Sequence, residues 1–140
     1  MSQSRAVKIL LDSNMLILMA SGIPILDQIE EKLLTRPAYI VITPVLNELA
    51  KLASTGKPSI ARKAKLALDI ASRYCEIHEY ELKPGESVDD ALLRYALENN
   101  AIVATSDREL RRKLREHGVP EIYLREESMR IDIEGAFSFY

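Results

Sequence analysis

Short apolar runs rich in β-branched residues alternate along this chain with longer stretches of helical periodicity, and this alternation restricts the fold more than any other feature. The clearest runs are 7–11, 39–42 and 101–104, and weaker candidates lie at 75–80 and 122–124. Strands separated by helices need crossover connections, which are right-handed almost without exception. The pattern therefore predicts a three-layer α/β domain with a mostly parallel central sheet of about five strands.

Helical periodicity predicts helices over residues 14–20, 24–34, 44–54, 59–74, 88–99 and 107–117. The C-terminal segment from Met129 to Tyr140 alternates like a strand, with Ile131, Ile133, Phe137 and Phe139 on one side. Such a strand could cover a sheet edge or join a subunit interface, so a homodimer stays open. A chain of 140 residues with 47% hydrophobic content is expected to form a single domain over residues 1–140.

Charge and cysteine content argue against several classes of protein. Acidic residues number 21 against 19 basic ones, and a formal net charge of −2 argues against non-specific coating of nucleic acid. The chain contains one cysteine, Cys75, and two histidines. These numbers exclude an internal disulfide framework and a structural zinc set. The sequence has no signal core and no apolar run of membrane-spanning length. A soluble protein in a reducing, cytoplasmic setting is the expectation.

Four acidic residues come after different predicted strands. Asp12 directly follows the first strand, and Glu48 lies in the helix after the second. Asp89 opens the helix entered after the third candidate strand, and Asp107 follows the fourth. Because open α/β sheets bind ligands beyond the carboxyl ends of their strands, these acids are expected at one edge. Converging carboxylates are what hard, oxygen-preferring cations require, so this edge is a candidate metal site.

Two of these acids also have a structural explanation as parts of helix starts. Asp12 can cap the helix that begins near Asn14, since Asp is favoured at that position. Asp107 can complement the dipole of its helix, in which Ser106 and Glu109 form a capping box. Neither acid decides the assignment alone, and the joint arrangement of all four carries the hypothesis.

The other two acids are less easily explained as caps. Glu48 lies beyond the reach of a capping box. Apolar neighbours on its helix face predict that it is partly buried. The alternative is that its side chain is solvated. Ser87 and Asp90 form a capping box that gives Asp90 a structural role. Asp89 is therefore the better ligand candidate and Asp90 the weaker one.

Four segments occur in the order expected of a PIN domain: KILLDSNML at 8–16, TPVLNEL at 43–49, VDDALL at 88–93 and IVATSDREL at 102–110. The chain resembles PIN-type nucleases over residues 7–124, with Ser13 where the pattern has Thr and a doubled Asp in the third segment. The resemblance implies a Rossmann-like PIN fold and RNA hydrolysis with Mg²⁺ or Mn²⁺. The catalytic acids that it implies are Asp12, Glu48, Asp89 and Asp107.

The same resemblance leaves two biological roles open. VapC toxins share the four acids, which would make an antitoxin the protein partner. Residues 102–123 look similar to ribosomal-RNA-processing PIN proteins, which would imply a ribosome-assembly partner. RNA is the substrate in both roles, and its cleavage sequence stays open.

The chemistry assigns a role to each acid. Metal ions activate water and stabilise the leaving oxygen of a phosphodiester, and carboxylates hold those ions. Asp12, Asp89 and Asp107 are predicted as the main metal ligands, with the number of ions left open. Glu48 is predicted as a further ligand or as the group that orients the attacking water.

Polar and basic residues near the acids have predicted supporting roles. Asn14 and Thr105 are expected to hydrogen-bond a carboxylate or a water molecule and so keep the metal ligands oriented. A stripe of arginines recurs at helical spacing after Asp107 and could grip the RNA backbone, although an ordinary solvated face is an equal alternative. This arginine stripe consists of Arg108, Arg111, Arg112 and Arg115.

Two other functions compete with a nuclease. A catalytically inactive PIN-like module could bind RNA or a protein partner without cutting, although four retained acids argue against it. A phosphatase-like hydrolase could use Asp12 as a nucleophile, because the strand ends in Asp-x-Asn. That alternative lacks a convincing partner lysine and a second Asp.

Overall fold

The computed structural model describes residues 6–135, which contain six strands and six helices. The strands are β1 (Lys8–Leu11), β2 (Ala38–Ile42), β3 (Glu76–His78), β4 (Ile102–Ala104), β5 (Glu121–Arg125) and β6 (Arg130–Glu134). The helices are α1 (Ser13–Ala20), α2 (Ile25–Leu33), α3 (Thr43–Thr55), α4 (Pro58–Tyr74), α5 (Val88–Asn99) and α6 (Arg108–Glu116).

The central strands are apolar because both faces of the sheet are covered. Ile9, Leu10 and Leu11 of β1 are all completely buried, and so are Val103 and Ala104 of β4. Successive residues of a strand point to opposite faces, so burial of every residue in a run requires a helix layer on each side. The three-layer α/β architecture predicted from the sequence is confirmed.

The sheet has the strand order β3-β2-β1-β4-β5-β6. All pairings are parallel except that of β5 with β6, which is antiparallel. From β1 the chain moves outward to β2 and β3, and it then returns to β4 on the other side of β1. The strand order therefore reverses between β1 and β4, and a crevice opens beyond their carboxyl ends.

The chain moves from β1 to β2 and β3 in one direction along the sheet, and from β3 back to β4 and β5 in the other. Because the crossovers are right-handed, the helices pack in two groups. On one side α1 packs against α3 and α4, and elsewhere α5 packs against α6. Among residues 6–135, no helix is both long and apolar enough to cross a bilayer.

The predicted elements are all present, with one addition. Boundaries differ by one or two residues at most ends, and the sheet has six strands instead of about five. The sixth is β6, which is the described part of the predicted C-terminal strand and covers the edge of β5. Phe137 and Phe139, the remaining apolar residues of that prediction, lie outside the described residues.

Gln28 of α2 attaches β6 to the rest of the domain. Its side-chain oxygen accepts a hydrogen bond of 2.8 Å from the backbone N–H of Ile131, and its amide nitrogen donates one of 3.1 Å to the carbonyl of Met129. Gln28 is only 6% exposed, so both backbone groups would lack a partner without it. This contact fixes β6 to α2 as well as to β5.

Candidate active site

Asp12 is held rigidly at the end of β1. Its backbone N–H donates to the carbonyl of Ala104 at 3.2 Å, which continues the pairing of β1 with β4 by one residue. Its carboxylate caps α1 by accepting a 2.7 Å hydrogen bond from the N–H of Met15. The Thr105 hydroxyl also donates to this carboxylate. Asp12 is 6% exposed. It is therefore both the helix cap suggested by the sequence and a buried carboxylate at the point where the strand order reverses.

Asp107 is fixed by the same threonine. The Thr105 hydroxyl oxygen accepts a 3.1 Å hydrogen bond from the N–H of Asp107, so one buried side chain connects the two aspartates. The capping box expected of Ser106 and Glu109 is wrong. Asp107 is itself the N-cap and accepts from the N–H of Leu110 at 2.8 Å, since α6 begins one residue later than that box requires.

Glu48 reaches the site from α3. Ser13 donates a 3.1 Å hydrogen bond to its Oε1 atom. The residue as a whole is exposed, because α3 buries Val45 and Leu49 and Glu48 lies beside that stripe; only its carboxylate shows the partial burial predicted from the sequence. Protein around the carboxylate nevertheless displaces enough water to raise its pKa, and the nearby charge of Asp89 raises it further.

Asp89 and Asp90, which are adjacent in α5, have different surroundings. Burial raises the pKa of Asp89, and the charge of Asp107 raises it further. Asp90 instead accepts a 2.9 Å hydrogen bond from Lys113, which holds the pKa of Asp90 below its usual value. Ser87 caps α5 through the N–H of Asp90 at 3.1 Å, as the sequence predicted. These contacts favour Asp89 as the acid that contributes to the site.

Electrostatic repulsion connects the four acids. The pKa of Asp12 is raised to about 6, chiefly by burial. Hydrogen bonds from Thr105 and Met15 oppose that rise, and the charges of Asp89 and Asp107 contribute to it. Asp89 is also close enough to Asp107 and to Glu48 for each pair to interact. Asp89 therefore lies within electrostatic reach of each of the other three acids.

The donor chemistry of this cluster suits a divalent cation. Its four acids offer only carboxylate oxygens as ligands, and a cation would offset both the burial of Asp12 and the repulsion between neighbours. Within residues 6–135, however, no three His, Cys, Asp or Glu side chains are grouped tightly enough to hold an ion by themselves. Mg²⁺ keeps several water ligands and takes only one or two carboxylates in many sites, so such spacing fits it.

Ser13 is the site residue that sequence reasoning missed. It was noted only as a replacement for Thr after Asp12, yet it connects α1 to Glu48. Its position directly after the first acid of the motif was the available signal. Asn14, predicted to orient a carboxylate, is exposed and makes no side-chain hydrogen bond with the residues described.

Most of the arginine stripe forms ion pairs with carboxylates of the protein itself. Arg111 and Arg115 both bind Oε1 of Glu121, a completely buried residue of β5. The guanidinium of Arg111 also lies 3.6 Å from the ring centroid of Tyr123. Arg112 forms surface ion pairs within α6, to Glu109 and Glu116.

Arg108 differs from the rest of the arginine stripe. It is exposed, and it forms no ion pair with any of residues 6–135. It directly follows Asp107, so its guanidinium is the one of the four that is both free and next to the acids.

The fold and the acid cluster together define a class of protein: an α/β domain with carboxylates beyond the ends of its central strands, where the strand order reverses. Residues 9–127 match the family described as PIN like domain. The chain belongs to this PIN-domain family, and its fold is a PIN fold.

Comparison with individual proteins agrees with that assignment. Ribonuclease VapC4 of Methanocaldococcus jannaschii is 35% identical over 102 residues, which cover 71% of this chain and 75% of that protein. The PIN domain endonuclease Utp24 superposes with a TM-score of 0.75 at 22% identity, covering 98% of each chain. A domain of a functionally unknown M. jannaschii protein superposes with a TM-score of 0.65 at 22% identity, covering 95% of this chain and all of that one. At that identity the two superpositions show the fold alone.

Removing Arg111 should destabilise the fold. Arg111→Ala leaves the buried Glu121 carboxylate, whose Oε2 atom already lacks a hydrogen-bond partner among residues 6–135, with Arg115 only. We expect the free energy of unfolding to fall by about 2–4 kcal/mol. Arg108→Ala, the matched control on the same helix, should change it by less than about 0.5 kcal/mol. Urea unfolding of both variants measures the difference, and equal values would mean that the Glu121 pair contributes little.

Removing the charge of Asp12 should stabilise the metal-free fold in a pH-dependent way. Folding raises the pKa of Asp12 from 3.8 to about 6, so its stability contribution is fully present below 3.8 and is lost as the pH rises through 6. Asn retains the helix cap without a charge. Asp12→Asn should therefore raise the free energy of unfolding at pH 7 by at most about 3 kcal/mol, with most of the gain absent at pH 4.

Chemical unfolding with chelator at both pH values measures this effect. Asp27→Asn, which changes an exposed acid in the first turn of α2, serves as the control. A loss of stability in Asp12→Asn at pH 7 would show that the charged carboxylate is needed as a structural cap.

Proposed function

We propose that this chain is a metal-dependent endoribonuclease that hydrolyses RNA phosphodiester bonds with Mg²⁺ or Mn²⁺. The observation that carries the proposal is the mutually repelling cluster of four carboxylates in the switch-point crevice of a PIN domain. A relative named as a ribonuclease at 35% identity supports RNA as the substrate. The four acids are Asp12, Glu48, Asp89 and Asp107.

Asp12, Asp89 and Asp107 are the groups that would hold the cation. When bound, it would lower the pKa of water and neutralise charge on the phosphate. Thr105 keeps two of these acids in place, because its one hydroxyl bonds the carboxylate of Asp12 and the backbone of Asp107. Asp90 is the weaker candidate for this role, because its carboxylate already pairs with Lys113.

Glu48 is suited to orient the attacking water and accept its proton. Its Oε1 atom is fixed by Ser13, which leaves Oε2 to accept a hydrogen bond from water. The raised pKa of Glu48 brings it closer to neutral pH, where a general base is more effective. Ser13 is therefore a positioning residue for the water-activating group.

Arg108 is the member of the arginine stripe best placed to contact the RNA backbone. It is exposed beside Asp107, and a guanidinium binds phosphate oxygens in pairs. Arg111 and Arg115 are held by Glu121, and Arg112 pairs with acids of its own helix. Surface pairs such as those of Arg112 are weak enough to exchange for phosphate.

The biological role we propose is that of a VapC-like ribonuclease with an antitoxin as its partner, because the relative at 35% identity is named VapC4. The second candidate is processing of ribosomal RNA or RNA decay, with a ribosome-assembly partner. It rests on the sequence resemblance of residues 102–123. A cytoplasmic setting fits either role, and a homodimer is compatible with both.

The adjacent acids of α5 provide a matched test of this function. Asp89→Asn should lower kcat/KM for RNA cleavage by roughly 100-fold or more, because the charge that helps to hold the cation is lost. Asp90→Asn should retain activity within about threefold, since it removes only a surface ion pair with Lys113. Cleavage of a mixed set of single-stranded and hairpin RNAs is measured with Mg²⁺, with Mn²⁺ and with chelator.

Three outcomes would contradict the proposal. Cutting that persists in chelator would exclude the metal mechanism, and full activity of Asp89→Asn would remove that acid from the site. RNA binding by a wild-type chain that cuts none of the RNAs would instead favour the inactive PIN-like module.

A further inference from the structure

A pocket of about 580 Å³ lies beside the acid cluster, between the first half of α3 and the loop that connects β3 to α5. Its walls include Pro44, Asn47 and Lys51 from α3, Leu82 from the loop and Val88 from α5. Glu48 belongs to both this pocket and the acid cluster. We call it the Glu48 pocket; its volume is within the range of small-ligand sites.

The loop wall of the Glu48 pocket is built before any ligand arrives. The Thr43 hydroxyl accepts from the N–H of Tyr80 at 3.0 Å and donates to its carbonyl at 3.3 Å, which attaches the loop to α3. Arg94 of α5 binds both carboxylate oxygens of Glu86, at 2.9 and 2.8 Å, and donates to the carbonyl of Glu81 at 2.9 Å. A wall fixed in this way loses little conformational freedom on binding.

Three side chains of the pocket are exposed or lack a polar partner among residues 6–135. Leu82 is 44% exposed although the loop around it is anchored. The side-chain amide of Asn47 makes no hydrogen bond with any described residue, and the Lys51 ammonium group forms no ion pair with one. An exposed apolar group, an unused amide and an unpaired cation around one pocket indicate a ligand with an apolar face, polar edges and a nearby negative charge.

Charge determines which part of such a ligand enters the pocket. Glu48 and Glu81 both line it, and their carboxylates disfavour a phosphate inside. A neutral base can contact Leu82, Pro44 and Val88 with its faces. An exocyclic amino group can donate to a carboxylate, while an adjacent phosphate remains outside near Lys51.

We propose that the Glu48 pocket holds one unpaired base of the RNA, next to the phosphate that the acid cluster cuts. The carboxylate of Glu81, which lines the pocket and makes no hydrogen bond or ion pair with residues 6–135, favours an amino-bearing base, adenine, cytosine or guanine, over uracil. A paired base cannot enter, since its edge is already occupied by its partner, so the substrate is single-stranded at this position. The inference rests on the proposed ribonuclease function.

Nucleotide titration of the isotopically labelled full chain tests the inference without cleavage. Adenosine 5′-monophosphate should shift the backbone amide signals of Asn47, Leu82 and Val88. Uridine 5′-monophosphate should bind there roughly fivefold more weakly or worse, and ribose 5-phosphate should not shift these signals. Equal shifts from ribose 5-phosphate, or adenosine-induced shifts centred elsewhere, would overturn the proposal.

Variants test whether the same pocket serves cleavage. Leu82→Ser should weaken adenosine 5′-monophosphate binding and raise KM for single-stranded RNA by roughly fivefold, with kcat little changed. Leu97→Ser is the matched control, because Leu97 is 51% exposed on α5 and does not line this pocket. Lys51→Ala should likewise raise KM, whereas Lys8→Ala at the opposite end of β1 should not.

The outcomes separate this inference from the proposed function. Wild-type cleavage of RNA with unchanged KM in Leu82→Ser and no nucleotide-induced shifts in the pocket would overturn the inference and leave the ribonuclease function standing. Nucleotide binding in the pocket by a chain that cuts no RNA would support a base site and overturn the ribonuclease function.

Discussion

Burial of the Asp12 carboxylate is the constraint on which the site depends. Placing a charge at the end of a completely buried strand costs free energy, and the N–H of Met15 and the hydroxyl of Thr105 offset only part of that cost. The remainder, together with repulsion from Asp89 and Asp107, keeps the pKa of Asp12 near 6. A bound cation would offset both the burial cost and the repulsion, which is why we infer a cation-dependent activity.

Much of the fold could be predicted because it depends on local pattern. Runs such as 9–11 and 101–104 are apolar at every residue, which in a parallel sheet means helices on both faces. The position of the acids at one edge of the sheet could be predicted by the same reasoning, since Asp12 and Asp107 come directly after strands. The sixth strand was harder to count, because β6 turns back on β5 instead of following a helix, so the alternation of strands and helices does not mark it.

The parts of the site that the sequence did not predict depend on contacts between distant residues. Nothing near Arg111 in the sequence shows that Glu121 will be buried against it, so the arginine stripe looked free. Ser106 looked like a helix cap, yet its hydroxyl accepts from the N–H of Leu124 in β5. The anchoring of the loop after β3 by Thr43 and Arg94 is equally non-local, and the Glu48 pocket exists only because of it.

The claim that a divalent cation binds among these acids is tested most directly by titrating the labelled chain with Mn²⁺ and recording its amide NMR spectrum. A paramagnetic ion broadens the signals of nuclei close to it. We predict selective broadening of amides next to Asp12, Glu48, Asp89 and Asp107 at low Mn²⁺ concentration, with weaker broadening of Lys8 at the other end of β1. Uniform broadening, or broadening centred on acids away from this edge such as Asp27 and Glu30, would contradict it.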